Sequence, residues 1–262
     1  MNDSRPIGVF DSGVGGLSVW KEIVKLLPNE SVIYFADSAN CPYGSKTEHE
    51  IIELSKRNVD FLIHKQCKII VVACNTATAA AIDYLRKKYK ISFIGMEPAV
   101  KPASLHSKTK SIGVLATEGT FNGRLYQETT KRFAKDVKVN IRVGDKLVDM
   151  VEKNQIYTKE AKEHLQKLIN PLIKMNIDHL VLGCTHYPFL MPVLKEILPE
   201  NVKILDPAPA VAKQTFNILK QQNLINKDLD KTIYEFYTTG NKDILNNFLK
   251  NLTDKEFYLY QK

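Results

Sequence analysis

Short apolar runs alternate along the chain with polar or glycine-containing turns and longer helical stretches. The runs fall at 7–10, 32–35, 69–72, 91–95, 112–115, 137–142, 180–182 and 202–205. Continuous β-branched runs this short, such as IIVV at 69–72, suit parallel strands buried on both faces. Helices are predicted over 17–27, from Thr47 to 65, from the turn at Cys74 to 88, from 122, over 144–153 and 158–174, and from the turn at Cys184 to 198. Thr47 followed three residues on by Glu50 has the form of a capping box. The remainder, 210–262, reads as helix, strand and helix that pack back on the first part of the chain. Strands alternating with helices in this way predict an α/β fold with parallel sheets.

One pattern occurs twice. The run at 69–72 leads into Ala73, Cys74, Asn75 and Thr76, then into alanines that favour helix. The run at 180–182 leads into Gly183, Cys184 and Thr185. The opening strands match as well: IGVF at 7–10 precedes Asp11-Ser12-Gly13, and IGVL at 112–115 precedes Ala116-Thr117-Glu118-Gly119. The distance from opening Ile to Cys is 67 residues in the first half and 72 in the second. The pattern predicts two similar doubly wound α/β domains related by pseudo-two-fold symmetry. Residues 1–98 with 210–262 would carry Cys74, and residues 99–209 would carry Cys184. Linkers would lie near 96–102 and 206–209. Ligands of open α/β sheets bind at the carboxyl ends of strands, beside the next helix N-terminus. Facing domains would therefore bring both thiols to one cleft. The plainer reading makes Cys74 one more buried, inert cysteine.

Composition narrows the field. At 262 residues, with 44% hydrophobic and 25% charged residues, the chain has the profile of a globular protein with a substantial core. The net charge is +8. The lysines are scattered, and no arginine-rich patch interleaved with aromatics marks a nucleic-acid partner. No signal-like segment and no membrane-length apolar run is visible, so a cytoplasmic location away from membranes is expected. In a reducing compartment the four cysteines, Cys41, Cys67, Cys74 and Cys184, have metal binding, catalysis or packing open to them, not a structural disulfide. Cys67 reads as packing.

Several chemistries compete for Cys74 and Cys184. The loop DSGVGG at 11–16 fits neither the dinucleotide fingerprint nor a Walker loop, so its glycines serve close packing or bind a small anion. Zinc would use Cys184, His186 and Cys74, without the paired spacing of structural sites. A Cys184–His186 acyl-transfer pair leaves Cys74 idle. Thiol–disulfide exchange lacks a C-x-x-C. Proton transfer from opposite faces of one carbon uses both thiols: a helix N-terminus lowers a thiol's pKa, and Asp11 and His186 stand by to move the protons. No lysine lies in either cysteine turn to form a Schiff base.

Five segments carry a family resemblance: IGVFDSGVGGLSV (7–19), YFADSANCPYGSK (34–46), VACNTATA (72–79), LATEGT (115–120) and LVLGCTHYPFL (180–190). In this order they resemble the glutamate racemases of the aspartate/glutamate racemase superfamily, isomerases that supply D-glutamate for bacterial peptidoglycan. The resemblance implies racemisation of glutamate with neither pyridoxal phosphate nor metal, and no other cofactor. It makes Cys74 and Cys184 the acid/base pair, with Asp11 and His186 as their proton-handling neighbours. It makes Glu152, a surface acid on pattern alone, a helper of the histidine. The implied substrate contacts are Asp11, Ser12, Pro42, Tyr43 and Gly44, then Asn75, Thr76, Thr117 and Thr120, then Thr185 and His186. A homodimer is implied as well. Cys41 receives no role. A sister-family aspartate racemase and a non-catalytic binding protein for acidic metabolites remain as alternatives.

Overall fold

The computed structural model describes residues 3–228 and 232–262. Its strands are β1 (Ile7–Asp11), β2 (Val32–Ala36), β3 (Ile69–Val72), β4 (Phe93–Gly95), β5 (Ser111–Ala116), β6 (Lys138–Val143), β7 (His179–Gly183), β8 (Lys203–Leu205), β9 (Tyr234–Thr238) and β10 (Tyr258–Gln261). They form two sheets, ordered β10-β9-β2-β1-β3-β4 and β6-β5-β7-β8. Every ladder among the described residues is parallel. The run β2-β1-β3-β4 in one sheet recurs as β6-β5-β7-β8 in the other, so the repeat read from two landmarks extends to the full strand order.

Burial follows the pleat. In the first sheet Phe10, Val72 and Ile70 face a cluster with Val59 and Leu62. Val9 and Val71 face the opposite side with Trp20 and Ile23. In the second sheet Val114 and Val181 pack with Val100 and Tyr126, while Leu180 and Leu182 pack with Leu165 and Leu172. Each sheet is thus covered on both faces, which is why its central strands read as unbroken apolar runs. The strand order reverses between β1 and β3, and again between β5 and β7. At such a switch point the flanking helices diverge and leave a crevice beyond the strand ends. Asp11 ends β1 and Cys74 follows β3; Thr117 follows β5 and Cys184 follows β7.

Several expectations need correction. The supposed crossover segment contains a helix, Val100–His106, that packs on β5 and β7. Its Pro102 lies in the first turn, where the missing N–H costs no helical hydrogen bond. The supposed return linker is already helical from Ala208, and the helix Ala208–Gln221 packs along Leu17–Leu26. The helix predicted from 122 is two helices, Glu118–Asn122 and Arg124–Phe133, broken at Gly123. A Cβ on Gly123 would stand 2.5 Å from that of Ala79, so only glycine permits this approach. The closing segment adds β10 outside β9. No helix among the described residues is long and apolar enough to cross a membrane.

Candidate active site

Cys74 leaves β3 in an extended conformation and caps the helix Asn75–Lys88, where its Sγ accepts the Ala77 N–H at 3.4 Å. The same sulfur lies 3.9 Å from Ser12 Oγ, beyond the end of β1. From the other sheet, Cys184 Sγ lies 3.7 Å from His186 Nδ1. Both thiols line one void of about 10 Å³, together with Ser12, Asn75, Thr76, Thr185 and His186. That is about the space of one water. The two domains are therefore closed on each other around the thiols.

Three of the hydrogen-bonded contacts between the domains bear on the site. Thr185 Oγ1 donates to Asp11 Oδ2 at 3.0 Å, while Asp11 Oδ1 accepts the Gly13 N–H at 2.7 Å. The hydroxyls of Thr76 and Thr117 lie 2.9 Å apart, and Thr117 meets Thr120 at the same distance. Glu152 Oε1 accepts the Val14 N–H at 2.7 Å and lies 2.7 Å from His186 Nε2. Glu152, a surface acid by pattern, keeps only 16% of its side chain exposed. The loop glycines serve this closeness: a Cβ on Gly15 would stand 2.3 Å from His186 Nδ1, and one on Gly13 would stand 1.9 Å from Glu152 Oε1.

Burial dominates the electrostatics. It pushes the Asp11 carboxyl up to about 6, against the pull of His186, the Gly13 N–H and the Thr185 hydroxyl. It also holds the Cys74 thiol far above its ordinary range, and the charge of Asp11 adds to the effect. The Ala77 N–H acts in the opposite direction but is the weaker influence. The expectation that a helix N-terminus lowers this thiol's pKa therefore fails in the closed site, because desolvation outweighs one amide. Burial disfavours charge on His186 too. Its contacts with Cys184, Cys41 and Glu152 outweigh that cost and raise the ring's pKa well above normal.

The remaining expected residues fall in and around the void. Pro42, Tyr43, Gly44 and Thr117 line it. The Tyr43 hydroxyl points elsewhere, donating to Asp37 Oδ2 at 2.5 Å and accepting from Asn58 at 3.1 Å, so Tyr43 offers the void its backbone and ring. Thr120 stands behind Thr117, and Asp11 behind Ser12 and Thr185. Three neighbours lacked a role in the sequence reading. Val148 lines the void from the helix Leu147–Glu152. Tyr34 donates to the Gly13 carbonyl at 2.7 Å. Cys41 Sγ lies 3.8 Å from Glu152 Oε1. Only Cys41 had a signal, its place directly before the Pro42-Tyr43-Gly44 turn. The zinc set first weighed does not assemble: the donor cluster joins Cys41 rather than Cys74 to His186.

Comparison with known proteins agrees with this architecture. The family model described as Asp/Glu/Hydantoin racemase matches residues 7–215. The chain belongs to that family of two-domain α/β isomerases. Within it, the close relatives are glutamate racemases. The glutamate racemase of Herpetosiphon aurantiacus is 43% identical over 236 residues, covering 90% of this chain and 93% of the relative. Among solved structures, the glutamate racemase isoform RacE1 of Bacillus anthracis superposes with a TM-score of 0.89 at 33% identity, covering 98% of this chain and 97% of the other. The glutamate racemase of Francisella tularensis, solved in complex with D-glutamate, gives 0.85 at 31% identity and covers 99% and 98%.

Proposed function

We propose that the cleft interconverts L- and D-glutamate by proton transfer between the α-carbon and two opposed thiols. The observation that carries the reading is that Cys74 and Cys184, from equivalent positions in two sheets, line one closed void. One cysteine, as thiolate, takes the α-proton; the electron pair stays on the substrate as a carbanion-like intermediate. The other cysteine, as thiol, returns a proton to the opposite face. Proton count and charge balance across the step. By likeness to the family, Cys74 serves D-glutamate and Cys184 serves L-glutamate.

Asp11 and His186 move the protons of their own thiols, and Glu152 holds the His186 ring. Ser12, Asn75, Thr76, Thr117 and Thr185 offer hydroxyls and an amide to the substrate carboxylates, supported by Pro42, Tyr43, Gly44 and Thr120. The substrate ammonium, entering beside Asp11, brings the positive charge that makes a buried thiolate less costly. Closure replaces water by fixed dipoles around the weakly acidic α-proton. The units 1–98 with 210–262, and 99–209, part to admit the substrate and close again. The D-glutamate complex of the Francisella relative supports the choice of substrate. The reading needs no pyridoxal phosphate and no metal. It places the enzyme in the cytoplasm as a homodimer that supplies D-glutamate to peptidoglycan.

The test is to incubate the chelator-dialysed protein with L-glutamate and with L-aspartate and to follow optical rotation. Loss of rotation with glutamate alone supports the reading. Loss with aspartate alone would identify the sister activity. No change with either would leave a binding protein, and activity restored only by zinc would overturn the metal-free chemistry.

A further inference from the structure

Cys41, Glu152 and His186 come from three distant segments: the loop after β2, the end of the helix Leu147–Glu152 and the turn after β7. Their donor atoms all lie within 4.8 Å of one another. Cys41 Sγ is 3.8 Å from Glu152 Oε1, and that oxygen is 2.7 Å from His186 Nε2. A tetrahedral zinc ion with ordinary bond lengths holds such donors roughly 3.3–3.6 Å apart. Reaching that geometry needs shifts below about 1 Å, as a metal replaces the His186–Glu152 hydrogen bond. Cys41 is partly buried and Glu152 keeps 16% of its side chain exposed, while His186 is buried. We propose that Cys41, Glu152 and His186 form an inhibitory site for a soft divalent cation such as Zn²⁺.

Thiolate and imidazole donors favour zinc and its transition-metal neighbours over magnesium or calcium. Binding sends the Cys41 thiol proton, and the proton shared by His186 Nε2 and Glu152, to solvent. A metal on Nε2 fixes the proton of the ring on Nδ1, which faces Cys184 Sγ at 3.7 Å. With Nε2 on the metal, the ring loses its Glu152 partner and can no longer pass a proton between that carboxylate and Cys184. This inhibitory consequence rests on the proposed two-thiol function; the binding itself does not.

The test separates the two. Co²⁺ is added to a Cys74→Ser/Cys184→Ser double variant, and the near-ultraviolet thiolate-to-cobalt band is recorded. The band is expected there, and is expected to vanish when Cys41→Ser is added. Its absence from the double variant, or its persistence without Cys41, would overturn the site whatever the racemisation mechanism. In the otherwise native enzyme, Zn²⁺ should inhibit turnover reversibly, with chelator restoring it and Mg²⁺ having no effect. Measured against its own metal-free turnover, Cys41→Ser should raise the half-inhibitory Zn²⁺ concentration roughly tenfold or more, through loss of the soft donor. Unchanged zinc sensitivity in Cys41→Ser would contradict the inhibition. A cobalt band without zinc inhibition would keep the site and count against the assigned role of His186.

Discussion

Thr185 Oγ1 donates to Asp11 Oδ2 at 3.0 Å, joining the turn after β7 to the end of β1. The acceptor is fully buried, and its carboxyl is pushed up to about 6 by that burial. A buried carboxylate at a domain junction is a cost to folding that the reaction can use.

That cost has a definite pH signature. The folded-state pKa of Asp11 lies above its unfolded value, so the folded protein binds the proton more tightly. Its contribution is most favourable below about pH 4 and is lost as pH rises through about 6, a change on the order of 2–3 kcal/mol. Asp11→Asn keeps the shape and removes this dependence. The variant should be more stable than the native protein at pH 7 while racemising far more slowly, as urea unfolding at pH 4 and pH 7 will show. Equal pH dependence in the two proteins would remove Asp11 as its source.

The pair Glu152–His186 predicts a second titration. The ring's pKa is raised well above normal despite burial, with Glu152 among the contacts that raise it. In the native protein the ring should hold its second proton well above pH 6.5, the ordinary midpoint. Glu152→Gln should release that proton at lower pH. It should also slow turnover by about tenfold or more, short of the ~10²–10⁴ expected from losing a general acid or base outright. Nitrogen NMR of the ring reads the first effect. An unchanged titration in the variant would mean that Glu152 does not hold the charge.

Closure can be locked. Thr76 and Thr117 approach to 2.9 Å between hydroxyls, one in each domain. Cysteines at both positions come near the spacing that a disulfide needs, about 3.5–4.5 Å between Cβ atoms. Oxidised Thr76→Cys/Thr117→Cys protein should lose turnover because a void of about 10 Å³ admits no amino acid. Reduction should restore activity to the level of the same variant kept reduced. Equal turnover in the two redox states, with the bond verified by mass, would show that substrate enters without the domains parting.

Much of this was legible in the residues. The strands read at 69–72 and 180–182 announce themselves because burial on both faces demands apolar runs, and the polar cluster that follows each marks a strand's end. Glu152 was not legible from pattern, because its partners Val14 and His186 lie 138 and 34 residues away and only the closed fold brings them together. The helix at Val100–His106 was hidden by Pro102, which a first turn tolerates. β10 was hidden by its shortness, four mostly exposed residues at a sheet edge that show no buried apolar run. The raised pKa of Cys74 could not be read from its place at a helix start, since the outcome depends on how completely the other domain excludes water.

The most direct test of the two-thiol mechanism uses a glutamate analogue that loses a β-substituent once its α-proton is removed, a reaction needing only one base. Elimination from each enantiomer is measured with Cys74→Ser and with Cys184→Ser, both verified as folded and glutamate-binding. Cys74→Ser should still process the L-analogue and Cys184→Ser the D-analogue, each losing the opposite enantiomer by ~10²–10⁴-fold. If both variants lose both enantiomers equally, the thiols do not work from opposite faces of the α-carbon.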